Sequence, residues 1–335
     1  MNVCKVDTPK TIIHIGPPKT GTTTVQEKVL ANLSSICFLG KPWWNPDVPY
    51  DKCVGLHRAI DSVTKADLSS YDEVAAKQAL ADWLAHAPNA QRQPDGTFLP
   101  RVLSEERLCF TDNVGFDEIA RRLAVLFPSA EIVYVKRDPV SGLRSFYRWL
   151  YARAWVDSSF SGWLEKMISQ PTNDWQDVAI RCFDWHLIEN AYGAHFSTVR
   201  SAEFAQLHQD SSQFLQHLFR LNPAELAELQ GEADQPLNVS QNRAISELHR
   251  AAKKSIRLWN KLPFHKIDEK PEYLGDTPMW KTLEAPLRGI SWGNKKLSIS
   301  QADKEKIIRY YAPRNSVQPA NHAGKADRPA TQPDR

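Results

Sequence analysis

The apolar positions of this chain change rhythm at short intervals, from the compact runs of strands to the three-and-four spacing of helices. Thr11-Ile12-Ile13-His14-Ile15 reads as a short strand, and Gly16-Pro17-Pro18 ends it and opens a loop. From Thr22 the pattern is helical, with Val25, Val29, Leu30 and Leu33 on one face. Between 37 and 65 no rhythm persists; Trp43, Trp44, prolines and glycines read as a long loop or insertion that carries His57. A helix is expected near 73–86, followed by a polar, turn-rich stretch over 88–96. Residues 98–103 form the second strand, closed by Ser104-Glu105-Glu106. Residues 116–127 are helical, with Ile119, Leu123, Leu126 and Phe127 on one stripe.

Residues 131–136 make the third strand. Asp138-Pro139 then starts a helix, since Asp is a good N-cap and Pro suits the first helical position. That helix runs through Leu143, Phe146, Tyr147 and Leu150. A fourth strand is expected at 195–199, and the chain beyond Phe204 is mainly helical, with the longest such pattern at 242–262 and the last at 301–311. Strands alternating with helices predict an α/β fold: a central parallel sheet of about five strands flanked by helices, with a helical C-terminal part. Residues 1–312 are read as one domain. From Pro313 large apolar residues nearly vanish, which predicts a disordered tail over 313–335.

A chain of 335 residues, 42% of them hydrophobic, builds such a core without staples. The net charge of +3 is too small to argue for nucleic acid or a membrane surface as a partner. The 5 cysteines are scattered, odd in number and form no CxxC pair, so neither a zinc site nor a disulfide framework is expected. No segment is apolar enough to span a bilayer. The N-terminus has no apolar signal core. These features point to a reducing, cytoplasmic setting.

In such sheets ligands sit at the carboxyl ends of strands, and three motifs begin there. The first is Gly16-Pro17-Pro18-Lys19-Thr20-Gly21-Thr22-Thr23. A nucleotide-kinase loop has lysine after its second glycine; here Lys19 lies inside the loop and Thr22 follows Gly21. Backbone N–H groups and the helix N-terminus still make an anion cradle. The second motif leads from Lys136-Arg137-Asp138-Pro139 to Ser141 and Ser145, an Arg fork with hydroxyls one helical turn apart on the same face. The third is Ser104-Glu105-Glu106.

The run from Ile12 to Gln26 resembles the 5′-phosphosulfate loop of sulfotransferases that use 3′-phosphoadenosine 5′-phosphosulfate (PAPS). The segment from Arg137 to Tyr147 is similar to the 3′-phosphate motif of the same family, with Gly142 where many relatives carry a basic residue. The resemblance implies a P-loop-like sulfotransferase fold of the bacterial and carbohydrate-type branch, with PAPS as co-substrate and no metal. It assigns Lys19, Thr20, Gly21, Thr22 and Thr23 to the phosphosulfate, and Arg137 and Ser145 to the 3′-phosphate. Lys19 would also act on the bridging oxygen as charge develops there. Tyr147 matches the motif's tyrosine as a packing residue. By register with a strand-end Ser-x-Glu element, Glu106 is the base, with Glu105 as its neighbour and His57 as a rival. The acceptor is a hydroxyl or amine, expected on a carbohydrate. A P-loop kinase-like phosphotransferase and a non-catalytic nucleotide-binding protein stay open as alternatives.

Overall fold

In the computed structural model the described residues are 10–40, 50–86, 97–109, 114–152, 155–169, 180–229 and 298–315. They build a single five-stranded parallel sheet in the order β2-β3-β1-β4-β5. The strands are β1 (Thr11–His14), β2 (Cys37–Gly40), β3 (Arg101–Ser104), β4 (Glu131–Lys136) and β5 (Val199–Glu203). The chain moves outward from β1 to β2, returns to insert β3, and then crosses to β4 on the other side. A crevice therefore opens at the carboxyl end of β1, between β3 and β4. Register brings His14 opposite Ser104 on one side, and Ile13 opposite Ile132 on the other.

Because side chains alternate along a strand, adjacent apolar residues feed two different cores. Ile13, Leu103, Ile132 and Tyr134 face helices α2 (Tyr50–Lys65), α3 (Glu73–His86) and α4 (Phe116–Leu126), and the helix Trp185–Gly193. Ile12, Val102, Val133, Val135 and Ala202 face α1 and the helix Ser211–Phe219. Helix α1 is composite: one α turn (Thr22–Thr24), a π-helical stretch (Val25–Val29) and a 3₁₀ end (Leu30–Asn32). A third apolar cluster joins α5 (Pro139–Ala152), α6 (Phe160–Ser169) and the helix Gln301–Asn315. Trp163 is buried in it, and half-buried Trp149 and Trp155 meet edge to face.

Several expectations shift. The stretch 37–65 is not irregular throughout, since it holds β2 and α2. Cys37 and Leu39 are buried beside β3, and Leu56, Ala59, Ile60 and Val63 form α2's buried stripe. A strand of four residues is too short for alternation to show above its Trp- and Pro-rich surroundings. The second expected strand begins at Arg101 rather than 98, and the fourth occupies Val199–Glu203 rather than 195–199. Residues 195–198 are instead a turn, with His195 and Phe196 N–H groups bonding back to Tyr192. The last helix runs on to Asn315. The helical pattern at 242–262, the Trp43-Trp44 pair and the tail from 316 lie outside the described residues.

One buried cation fixes α2 against α4. Arg122 is fully buried. It donates to the carbonyls of Ser62, Ala66 and Asp67 at the end of α2, pairs with Glu118 at 2.7 Å, and stacks 4.2 Å from the Tyr71 ring. A cation suits the negative end of a helix. Among the described residues, no helix is long and apolar enough to cross a membrane, and the buried Cys37, Cys109 and Cys182 form no disulfide.

Candidate active site

The loop after β1 turns tightly because two of its residues adopt left-handed backbone, Lys19 at φ 67° and Gly21 at φ 80°. That conformation is open to glycine and costs another residue on the order of 1–2 kcal/mol. Two bonds hold the strained turn. The Thr20 hydroxyl donates to the Pro17 carbonyl at 2.6 Å, and Arg137 donates through Nη1 to the Lys19 carbonyl. There is no room for side chains where the glycines lie. A Cβ on Gly16 would stand 2.6 Å from Thr22 Oγ1, and one on Gly21 would stand 2.8 Å from Leu207. Thr20 and Thr22 are buried, whereas Lys19 and Thr23 are half-buried. The Thr20 hydroxyl thus serves the loop's own shape, and the N–H groups from Gly21 to Thr23 open α1.

Arg137 lies at the end of β4, one strand away, and is the residue that joins the first two motifs. Beyond Lys19, its Nε donates to Ser141 Oγ at 3.3 Å, and its guanidinium lies 4.3 Å from the centre of the Phe204 ring. Burial, with the neighbouring Arg144 adding repulsion, pushes its pKa down to about 10, so it stays charged at neutral pH. Asp138 caps α5 as the sequence predicts, its carboxylate accepting from the Ser141 N–H at 2.8 Å. Ser145 follows one turn after Ser141 and is half-buried. Tyr147 is buried and donates to the Ser158 carbonyl at 2.7 Å, a packing role.

The end of β3 is organised differently. Glu105 is fully buried. Its N–H bonds to the His14 carbonyl at 3.0 Å, and its carboxylate accepts from Arg107 N at 2.9 Å and Arg107 Nε at 3.2 Å. Arg107 also pairs with Asp61 on α2, and Asp61 pairs with His57 and Lys65 at 3.2 Å each. Two of the expected base candidates, Glu105 and His57, are therefore linked through Arg107 and Asp61. Glu106 is half-buried at the start of the 3₁₀ turn Glu106–Leu108.

Sequence reasoning missed a polar cluster beneath the loop. His14 is fully buried, and burial lowers its pKa to about 4, so the ring is neutral. Its Nδ1 lies 2.8 Å from Ser104 Oγ, and Gln26 Nε2 donates to the same hydroxyl at 2.9 Å. Gln26 projects from the π-helical stretch of α1, so the cluster ties β1, β3 and α1 together under the anion cradle. Phe204, against Arg137, was also missed; nothing in its local sequence marks it. A polar residue inside an apolar strand, His14 between Ile13 and Ile15, is the signal available for the first.

Comparison with known proteins gives a family match over most of the chain. The profile described as "Sulfotransferase family" matches residues 9–221, which contain all three strand-end motifs. Among solved structures, a sulfotransferase from Alicyclobacillus acidocaldarius is similar in 78% of this chain and 98% of that chain, at 15% sequence identity and a TM-score of 0.42. No curated protein matches the sequence.

Proposed function

The chain belongs to the sulfotransferase family, a family of transferases with a PAPS-type sulfate donor, and on that premise we propose which residues carry the transfer and what accepts it. The observation that supports the assignment is the bond from Arg137 to the Lys19 carbonyl, which joins two anion-binding elements from adjacent strand ends. PAPS carries a phosphosulfate and a 3′-phosphate at opposite ends of one ribose, and two coupled cradles match that pair of anions. The missing side chains at Gly16 and Gly21 leave room for Thr22 and Leu207, so the loop closes tightly around the N–H groups that open α1.

In this reading Lys19 and the N–H groups of Gly21, Thr22 and Thr23 hold the phosphosulfate, while Thr20 holds the loop in shape. Arg137 and Ser145 take the 3′-phosphate. The acceptor oxygen or nitrogen attacks sulfur in line as the bond from sulfur to the bridging phosphate oxygen breaks. Lys19 stabilises the charge gathering on that oxygen, and the bisphosphate nucleotide PAP leaves. The acceptor's proton passes to Glu106. Glu105 serves as the buried partner of Arg107, and His57 is held by Asp61. The acceptor we propose is a hydroxyl or amine on a carbohydrate, in a cytoplasmic setting.

Thermal unfolding with nucleotides tests the donor. PAP without Mg²⁺ is expected to raise Tm more than ADP at equal concentration, because a ligand that binds only the folded state stabilises it. Equal shifts, or a strict need for Mg²⁺, would overturn the assignment.

A further inference from the structure

The donors around Arg137 divide into those engaged within the protein and those left over. Arg137 Nη1 is bound to Lys19 and its Nε to Ser141. Its Nη2 has no partner among the described residues, and the same holds for the Ser145 hydroxyl and for the whole guanidinium of Arg144. Ser141, Arg144 and Ser145 are spaced three and four apart, so they lie on one face of α5. That face is the outer one: Gly142, Leu143, Phe146 and Tyr147 are buried, whereas Arg144 is exposed. Burial first, and then the charge of Arg144, lower the pKa of Arg137. Two cations held near each other, with donors unengaged, are an arrangement that a dianion relieves.

The opposite face of α5 shows why the second cation stands at 144. A Cβ on Gly142 would lie 2.3 Å from the Phe183 ring, with two more ring atoms at 2.8 Å. The ring occupies the space of any side chain there, so position 142 carries no basic group in this fold. A second charge that α5 brings to the site comes from the outer face.

We propose that Arg144 is the second guanidinium of the 3′-phosphate site, a specificity-determining residue that acts with Arg137 Nη2 and the Ser145 hydroxyl on one phosphate. The inference rests on the donor reading above. A monophosphate nucleotide that lacks the 3′ group leaves Arg144 without a ligand contact, so Arg144 contributes to discrimination and not to binding of the shared part.

Calorimetric titration of the purified full chain with PAP and with AMP tests this. The wild type is expected to prefer PAP, and absence of that preference overturns the donor reading together with this inference. Given the preference, Arg144→Gln should lower the ratio of AMP to PAP dissociation constants by roughly 10- to 100-fold, the range for a charge-assisted bond. AMP affinity should stay within about 2-fold. Arg144→Lys should recover part of the ratio, and Arg148→Gln, one turn further along the helix, should leave it unchanged. An unchanged ratio in Arg144→Gln, or an equal loss for PAP and AMP, overturns the role of Arg144 while the donor reading stands. Arg144 is exposed, so the variant is expected to fold, and an unshifted Tm without ligand checks this.

Discussion

The ends of β4 and β3 flank the same loop and treat their charges in opposite ways. At β4 the charge of Arg144 repels that of Arg137, and among the described residues neither Arg137 Nη2 nor the Arg144 guanidinium has an acceptor. At β3 the charges answer one another: Glu105 to Arg107, Arg107 to Asp61, Asp61 to His57 and Lys65. The first arrangement is the one proposed above to take an anion. The second is complete within the protein and behaves as a brace between the sheet and α2. The difference teaches that proximity to the crevice does not make an ionisable residue reactive. Glu105 is fully buried within that network and Glu106 is half-buried, which is why Glu106 and not its buried neighbour is proposed as the base.

The sharpest test of that contrast sets the two neighbouring glutamates against each other. Glu106→Gln should reduce turnover by about 10²–10⁴-fold while PAP binding and stability persist. Glu105→Gln should lower stability by about 1.5–3 kcal/mol in urea unfolding, because Arg107 loses one of its two carboxylate partners and keeps Asp61. A stable, active Glu105→Gln would break the description of the β3 end as a brace. A fully active Glu106→Gln would remove the base from it altogether.

A second test concerns the neutral ring beneath the loop, and its readout is stability against pH. His14 titrates near 4 in the folded protein, against 6.5 ordinarily. The unfolded chain therefore takes up a proton first as pH falls. Its contribution is complete above about pH 6.5 and is lost progressively down to about pH 4, a total on the order of 3 kcal/mol. Urea unfolding of wild type and His14→Gln across that range should show this part of the acid sensitivity disappear in the variant. Parallel pH profiles would mean that His14 is protonated alike in both states.

The smallest expected effect lies behind the β4 end. Gly142→Ala places a methyl against Phe183 and should lower stability by about 1–3 kcal/mol, read as a fall in Tm. Phe183→Leu in the same chain should recover part of the loss. A neutral Gly142→Ala would show that the ring yields easily, and position 142 would then be open to a side chain.

Much of the fold was legible because its signals are local. The strand 131–136, the capped start of α5, and the turn from β1 through Gly16 and Gly21 all follow from residues within a few positions of one another. β2 and β5 were harder. Each is four or five residues long, and what makes them strands is pairing to β3 and β4, whose partners lie far away in the chain. His57 was expected in a loop and stands on a helix, because α2's apolar stripe is interrupted by charged residues and completed only by the sheet it covers. In the site, the two phosphate motifs could be read separately, but their contact through Arg137 and Lys19 could not.

The sequence alone determined the kinds of parts: short apolar strands, the glycine-bounded loop after the first of them, the Asp138 cap, and an Arg followed by hydroxyls at helical spacing. These depend on backbone sterics and on interactions between near neighbours, which composition and spacing express directly. Tertiary structure decided which charges remain available. The order β2-β3-β1-β4-β5 sets Glu105 beside His14 and Arg137 beside Lys19, and α2 brings Asp61 to Arg107. Whether a buried or half-buried ion is engaged or waiting depends on partners across the sheet, and electrostatic energy depends on distance and burial in space rather than along the chain.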